Sequence, residues 1–326
     1  NTTLTKMTRP AGVSGLVYTE AQVKELGQAM VQEIEEGQAP TAKDAPAAYV
    51  IPKNIKPEYL AGGGATGGYN RFWIDPGNLV MRVNGEPRTS VFTTPNGQAP
   101  PRKAGATPAP APEPPAFIKL LGPSPTPRGA SFDNPESRAT ERCIISFGRN
   151  AGPPMFANGF YNNSYQIVQS PNHVAIATEM VHDARIVRLN SKHRTDDVRP
   201  YFGDSIGWFE GDTLVVETTH IPQSQQFVGS WKDLKVTERF RRVADDRLYY
   251  GFTVEDPTLW DAPWGGEYEF AALNGSMYEY ACHEGNYAMH GILAGARVQE
   301  AKAAAEAAEK AKAAAKPGAK PAKAKQ

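Results

Sequence analysis

From residue 206 to 284 the chain sets one β-patterned segment after another, with almost no spacer and no interval suited to a helix. Residues 207–212 turn into 213–219, and 234–243 pair with 248–255 across Ala244-Asp245-Asp246-Arg247. Residues 268–273 then lead into 277–282 through Asn274-Gly275, the strongest short hairpin signal. Such spacing predicts an all-β fold built on an antiparallel meander.

Upstream segments extend the pattern. Strands are expected at 71–75 and 79–83, with Asn84-Gly85 opening a hairpin into 88–94, and again at 142–147, 165–170 and 174–189, the last bent near His182-Asp183. Residues 19–37 read as an amphipathic helix capped by Thr19, with Val23, Leu26, Met30 and Ile34 at three- and four-residue steps. Residues 99–135 are dense in proline and favour an extended strap. Its apolar island at 117–121 gives the strap a point at which to dock. The expected organisation is an N-terminal arm over 1–68, a β-barrel domain over 69–298 interrupted by the strap, and a basic Ala/Lys tail over 299–326 with a helix at 299–316.

The 326 residues include 28 prolines and 30 glycines at zero formal net charge, so no overall field draws the molecule to nucleic acid. The charge is uneven, since residues 299–326 hold seven lysines and three glutamates. A basic tail on a mildly acidic body suits a protein partner. No apolar run reaches the ~18 residues of a membrane-spanning helix. A chain opening at Asn1, without an initiator Met or an apolar leader, fits the expectation of an exported and processed protein. In that setting Cys143 and Cys282, each expected within a strand, form one long-range disulfide or remain two buried thiols.

Period-two sorting assigns Leu214, Val216, Val236, Phe240, Leu248, Tyr250, Phe252, Val254, Tyr268, Phe270, Tyr278 and Tyr280 to a core face. Glu217, Arg239, Glu255, Glu279 and His283 fall on the other face, which is a wet exterior or the lining of a polar cavity. If it is a lining, these five are the catalytic candidates, because buried carboxylates acquire displaced pKa values fit for acid–base work. Glu179, His182, His283 and Glu284 have the composition of a metal site without an HExxH or CxxC pattern to support it. Trp260 and Trp264 read as an aromatic clamp or as the cap of a barrel end. Tyr161, Asn162 and Asn163 bind a ligand through their amides or cap a loop. No cofactor is implied.

Several runs together carry a resemblance: Gly211-Asp212-Thr213-Leu214-Val215-Val216-Glu217-Thr218-Thr219, Glu238-Arg239-Phe240, Phe252-Thr253-Val254-Glu255-Asp256-Pro257 and Tyr278-Glu279-Tyr280-Ala281-Cys282-His283-Glu284-Gly285-Asn286-Tyr287. With Tyr161-Asn162-Asn163 and Glu179-Met180-Val181-His182-Asp183-Ala184-Arg185 upstream, the chain resembles a large uncharacterised family of exported bacterial proteins. That resemblance implies that the meander rolls into a lipocalin-like or calycin-like barrel, or a strongly curved sheet, and it imports no activity.

Three functions remain open at this stage. The first is a non-catalytic periplasmic accessory or scaffolding subunit, whose arm, strap and tail grip a larger assembly such as a respiratory or photosynthetic membrane complex. The second is a secreted enzyme or binding barrel for a polar glycosidic or phenolic ligand. The third is a self-assembling filament subunit.

Overall fold

The structure, a computed structural model, describes residues 4–38, 79–109, 142–146, 149–156, 162–284 and 286–314. The expected strand at 71–75, the strap beyond Ala109, the island at 117–121, Tyr161 and the last residues of the tail lie outside the described residues. The chain divides into two compact units, 1–111 with 145–280 and 112–144 with 281–326.

The first unit is an eight-stranded sheet curled into a half-barrel, preceded by helix α1 (Glu20–Gln38) and a short hairpin, β1 (Arg82–Val83) and β2 (Glu86–Pro87). The sheet strands are β3 (Tyr165–Gln169), β4 (His173–Thr178), β5 (Ala184–Leu189), β6 (Asp204–Glu210), β7 (Thr213–Thr219), β8 (Lys235–Ala244), β9 (Arg247–Glu255) and β10 (Trp264–Ala271), side by side in chain order. Thr19 caps α1 as expected, its Oγ1 accepting the Gln22 N–H at 3.3 Å. Asn84 and Gly85 both take positive φ in the β1–β2 turn, the backbone that a two-residue hairpin requires.

One cross-strand row runs through all eight strands: Trp264, Val254, Val236, Thr218, Ser205, Val187, Val174 and Gln169. Its first seven members are buried and Gln169, on the edge strand, is exposed, so this row marks the concave face. Ser205 and Thr218 satisfy one another inside it, oxygen to oxygen at 2.8 Å. Phe270 stands six residues beyond Trp264 on β10, and Tyr165 four residues before Gln169 on β3. Their rings nevertheless meet with centroids 5.2 Å apart. The two edges therefore approach with a stagger of ten residues, the oblique register that rolls a sheet toward a barrel.

Four expectations are corrected. The meander is antiparallel except at β5–β6, which pair in parallel. A parallel step cannot be made by a hairpin, and residues 190–203 form the longer connection. That connection is fastened to the start of β6 by Asp204, whose Oδ2 accepts from the Arg194 N–H at 3.0 Å and lies 2.8 Å from His193 Nδ1. Residues 277–282 form no strand after Asn274-Gly275, and Tyr278 is 71% exposed instead of core. The far side of β10 near Trp264 is already occupied, because Glu267 donates to Val91 O at 3.0 Å and Thr93 to Gly265 O at 3.1 Å. This approach is close enough that a Cβ on Gly266 would sit 2.6 Å from Val91 O. Residues 142–146 form no strand, since Cys143 takes φ +56°. The expected strand at 79–83 shortens to β1.

Trp260 and Trp264 are core residues, 2% and 6% exposed, in an aromatic plug with Phe92 and Phe227. Their own centroids lie 5.3 Å apart, and Trp264 sits 5.0 Å from Phe92 and 5.7 Å from Phe227.

In the second unit Cys143 and Cys282 form a disulfide across 139 residues of sequence. Helix α2 (Tyr287–Ala314) begins well before the expected residue 299. No helix among the described residues is long and apolar enough to cross a membrane.

Candidate binding site at the seam of the half-barrel

The concave side of the sheet holds a charge that period-two reasoning passed over. Glu238 lies in phase with Val236 and Phe240 on β8, and Arg185 in phase with Val187 on β5; both are almost fully buried. They pair across the interior from strands that are not neighbours, with Arg185 Nη1 against Glu238 Oε2 and Nη2 3.0 Å from Oε1. The Tyr250 hydroxyl donates to Oε1 at 2.8 Å and accepts the Met155 N–H at 2.7 Å, while the Tyr268 hydroxyl donates to Met155 O at 2.7 Å. A buried ion pair is tolerable when its remaining lone pairs are met, and here the Tyr250 hydroxyl donates to the carboxylate while the Met155 N–H holds that hydroxyl in place. Burial pushes the Tyr250 and Tyr268 hydroxyls well above the usual phenol range, with Glu238 adding to both. They stay protonated and donate. Burial alone would lower Arg185, yet the Glu238 carboxylate outweighs it and raises the guanidinium. Arg149 donates to Gln225 O at 2.6 Å, Gln226 O at 2.9 Å and Pro153 O, with its guanidinium 5.2 Å from the Phe227 ring; withdrawal from water brings it down to about 10.

Where the start of β3 meets the end of β10 and the β8–β9 turn, the seam opens into a cleft of about 600 Å³. Phe270, Leu248 and Ile167 supply its apolar wall, and Asn162, Asn163 and Asn274 its amides. Tyr165 lines it too, its hydroxyl raised by burial and drawn back down by Arg185, which ties the cleft to the buried network. The Tyr165 hydroxyl and Asn163 Oδ1 are both buried and have no hydrogen-bond partner among the described residues. Each such group costs about 1–3 kcal/mol when left unmet. Glu179, 8% exposed, spends its carboxylate on the backbone, Oε1 accepting the Tyr278 N–H at 2.9 Å and Oε2 the Ser164 N–H at 3.3 Å.

Among the described residues, the seam also leaves β3 with a single strand neighbour, β4. Ile167 and Val168 on this edge are 38% and 52% exposed. Val168 shares a convex-side row with Ala175 and with Ile186, itself 52% exposed.

Three of the sequence-predicted site residues, Asn162, Asn163 and Glu179, come together in the cleft. Glu217, Arg239 and Glu255 lie on the convex side: Lys235 bridges Glu217 at 3.7 Å and Glu255 at 3.1 Å, and Arg239 reaches Glu210 at 4.0 Å. Glu217 also meets His193 Nε2 at 3.2 Å, completing a surface chain from Asp204 to Glu255. Glu279 is exposed and stands apart from that chain in sequence and sheet. His182 is exposed, and its neighbour Asp183 is buried, the carboxylate accepting the Ser146 N–H at 2.9 Å while burial raises its pKa. His283 and Glu284 are exposed residues of the second unit. No group of three or more His, Cys, Asp or Glu suited to a metal ion occurs among the described residues. Sequence reasoning missed Arg185, Glu238, Tyr165, His193 and Asp204. For the first two a signal existed: a charge standing in phase with buried valines.

No family model matches the chain, and no curated protein or solved structure matches it.

Proposed function

We propose that the chain is an exported, non-catalytic accessory subunit that joins a larger assembly along the free edge of β3. The observation that supports this reading is the edge itself, which carries two exposed β-branched residues, Ile167 and Val168, and continues onto Ile186. Natural edge strands are usually guarded by lysine, proline or a bulge, because an unpaired row of backbone groups recruits another strand. An edge left apolar instead fits a partner that adds a strand to it. The disulfide favours an oxidising compartment, hence export to the periplasm or beyond. The N-terminal arm, the proline strap and the basic tail add further contacts in this reading, and a membrane complex with a periplasmic face is one host, touched peripherally.

The test is hydrogen exchange combined with site-specific photo-crosslinking from position 168 in the native host. The expected result is one stoichiometric protein crosslinked to that position, protection of residues 165–169 that the isolated chain lacks, and loss of both in Val168→Lys. Equal exchange at these amides in isolated and native material, with no crosslink, would overturn the reading.

A further inference from the structure

We propose that the seam cleft is a binding site for a neutral saccharide, a ring of hydroxyls laid on an apolar wall and gripped by side-chain amides. Its volume of about 600 Å³ falls within the ~300–1,000 Å³ of small-molecule sites. The inference rests on the cleft lining and not on a strand added to β3, although Ile167 belongs to both surfaces.

Charge narrows the ligand first. Arg242 and Arg247 face Glu179, Asp245 and Asp246 across the lining, two positive against three negative, so an anion gains nothing by entering. The charges are also engaged among themselves. Arg242 donates to Asp245 O at 2.6 Å, Arg247 Nε lies 3.6 Å from Asp246 Oδ2, and Glu179 holds two backbone N–H groups. The surplus carboxylate, Asp245, lies on the exposed β8–β9 turn at the rim, and the buried Glu179 carboxylate is already spent on two backbone donors.

What remains for a ligand is uncharged and bifunctional. Three asparagine amides, those of Asn162, Asn163 and Asn274, can each donate and accept. A phenol offers one hydroxyl to such a set, whereas a sugar ring offers several at fixed spacing and keeps one C–H face for Phe270 and Leu248. Sugars bind by this division, with polar edges to amides and an apolar face to an aromatic ring.

The test is saturation-transfer-difference NMR on the full chain, with glucose, galactose, N-acetylglucosamine and the β-1,4-linked dimers of glucose and N-acetylglucosamine each at millimolar concentration. Phenol and glucuronate serve as competitors of the other two chemistries. The expected result is transfer to the ring C–H protons of at least one neutral sugar, weakened about tenfold in affinity by Asn163→Leu, as for a lost hydrogen bond of ordinary strength. Asn274→Ala, at an exposed position that leaves the fold intact by near-ultraviolet circular dichroism, is expected to weaken it severalfold. Transfer to none of the sugars, a preference for phenol or glucuronate, or an affinity untouched by both substitutions would overturn the inference.

Discussion

Arg185 with Glu238, and Lys235 with Glu217 and Glu255, are built from the same kinds of charge on opposite faces of one sheet. The first pair is sealed in the half-barrel, with side chains 1% and 0% exposed. The second cluster is wet, with side chains 26–38% exposed. Inside, each charge depends wholly on its partner, because water cannot replace it. Outside, water and salt stand in at once, and the bridges add little. The interior pair therefore constrains which strands face one another, while the exterior chain decorates a sheet that is already formed.

The largest test of this contrast is Glu238→Ala, which strands the Arg185 guanidinium in the core. Urea denaturation is expected to show a loss of about 3–5 kcal/mol. The double variant Arg185→Met with Glu238→Leu is expected to recover most of it, since removing both charges removes the need for either. A single-variant loss below about 1 kcal/mol would place the pair with the surface bridges.

Next in size is Tyr250→Phe, which keeps the ring and removes one hydroxyl. Glu238 Oε1 loses a donor and the Met155 N–H loses its acceptor. A loss of about 2–3 kcal/mol is expected, more than a neutral hydrogen bond brings, because the carboxylate acceptor is charged, though Arg185 still serves it, and the Met155 N–H is left buried without its acceptor. A loss within the ~0.5 kcal/mol typical of surface changes would show that water reaches the pair.

The contrast also explains what was legible in the sequence. Strands β6 to β9 were readable because alternation and the Gly211-Asp212 and Asp245-Asp246 turns are local signals. The parallel step at β5–β6 was not, because it depends on Asp204 reaching back to His193 and Arg194 in the same loop. The Asn274-Gly275 hairpin did not form either, and the side of β10 facing it is partly taken by Val91 and Thr93, far away in sequence, which bond to Glu267 and Gly265. Of the candidate site, the asparagines were visible by composition. Tyr165 and Phe270 were visible as strand residues, but their meeting is a product of the ten-residue stagger, a property of eight strands together. Glu238 was the readable signal left unread, a carboxylate in the phase of Val236 and Phe240.

On the wet face, Lys235→Ala is expected to cost about 0.2–1 kcal/mol, shrinking as salt is added. The measurement is chemical denaturation at low and high ionic strength. A salt-independent loss as large as that of Tyr250→Phe would erase the distinction between the two faces.

The smallest effect and the sharpest in sign concerns Asp204, which stands between the faces. Burial pushes its carboxyl up, but the Arg194 N–H, His193 and Arg188 together hold it below the usual 3.8. A carboxylate whose folded pKa lies below its unfolded one binds protons less readily in the folded state, so it contributes stability above the ordinary value. That contribution fades as the pH falls through the lowered folded value. Asp204→Asn is therefore expected to be less stable than the parent at neutral pH, with the gap narrowing below about pH 4 as the parent's carboxylate takes up its proton. Denaturation midpoints of both proteins, followed from neutral pH into acid, check it. A gap that stays constant across that range would mean that Asp204 fastens the 190–203 connection through its shape and hydrogen bonds alone, and that its charge plays no part.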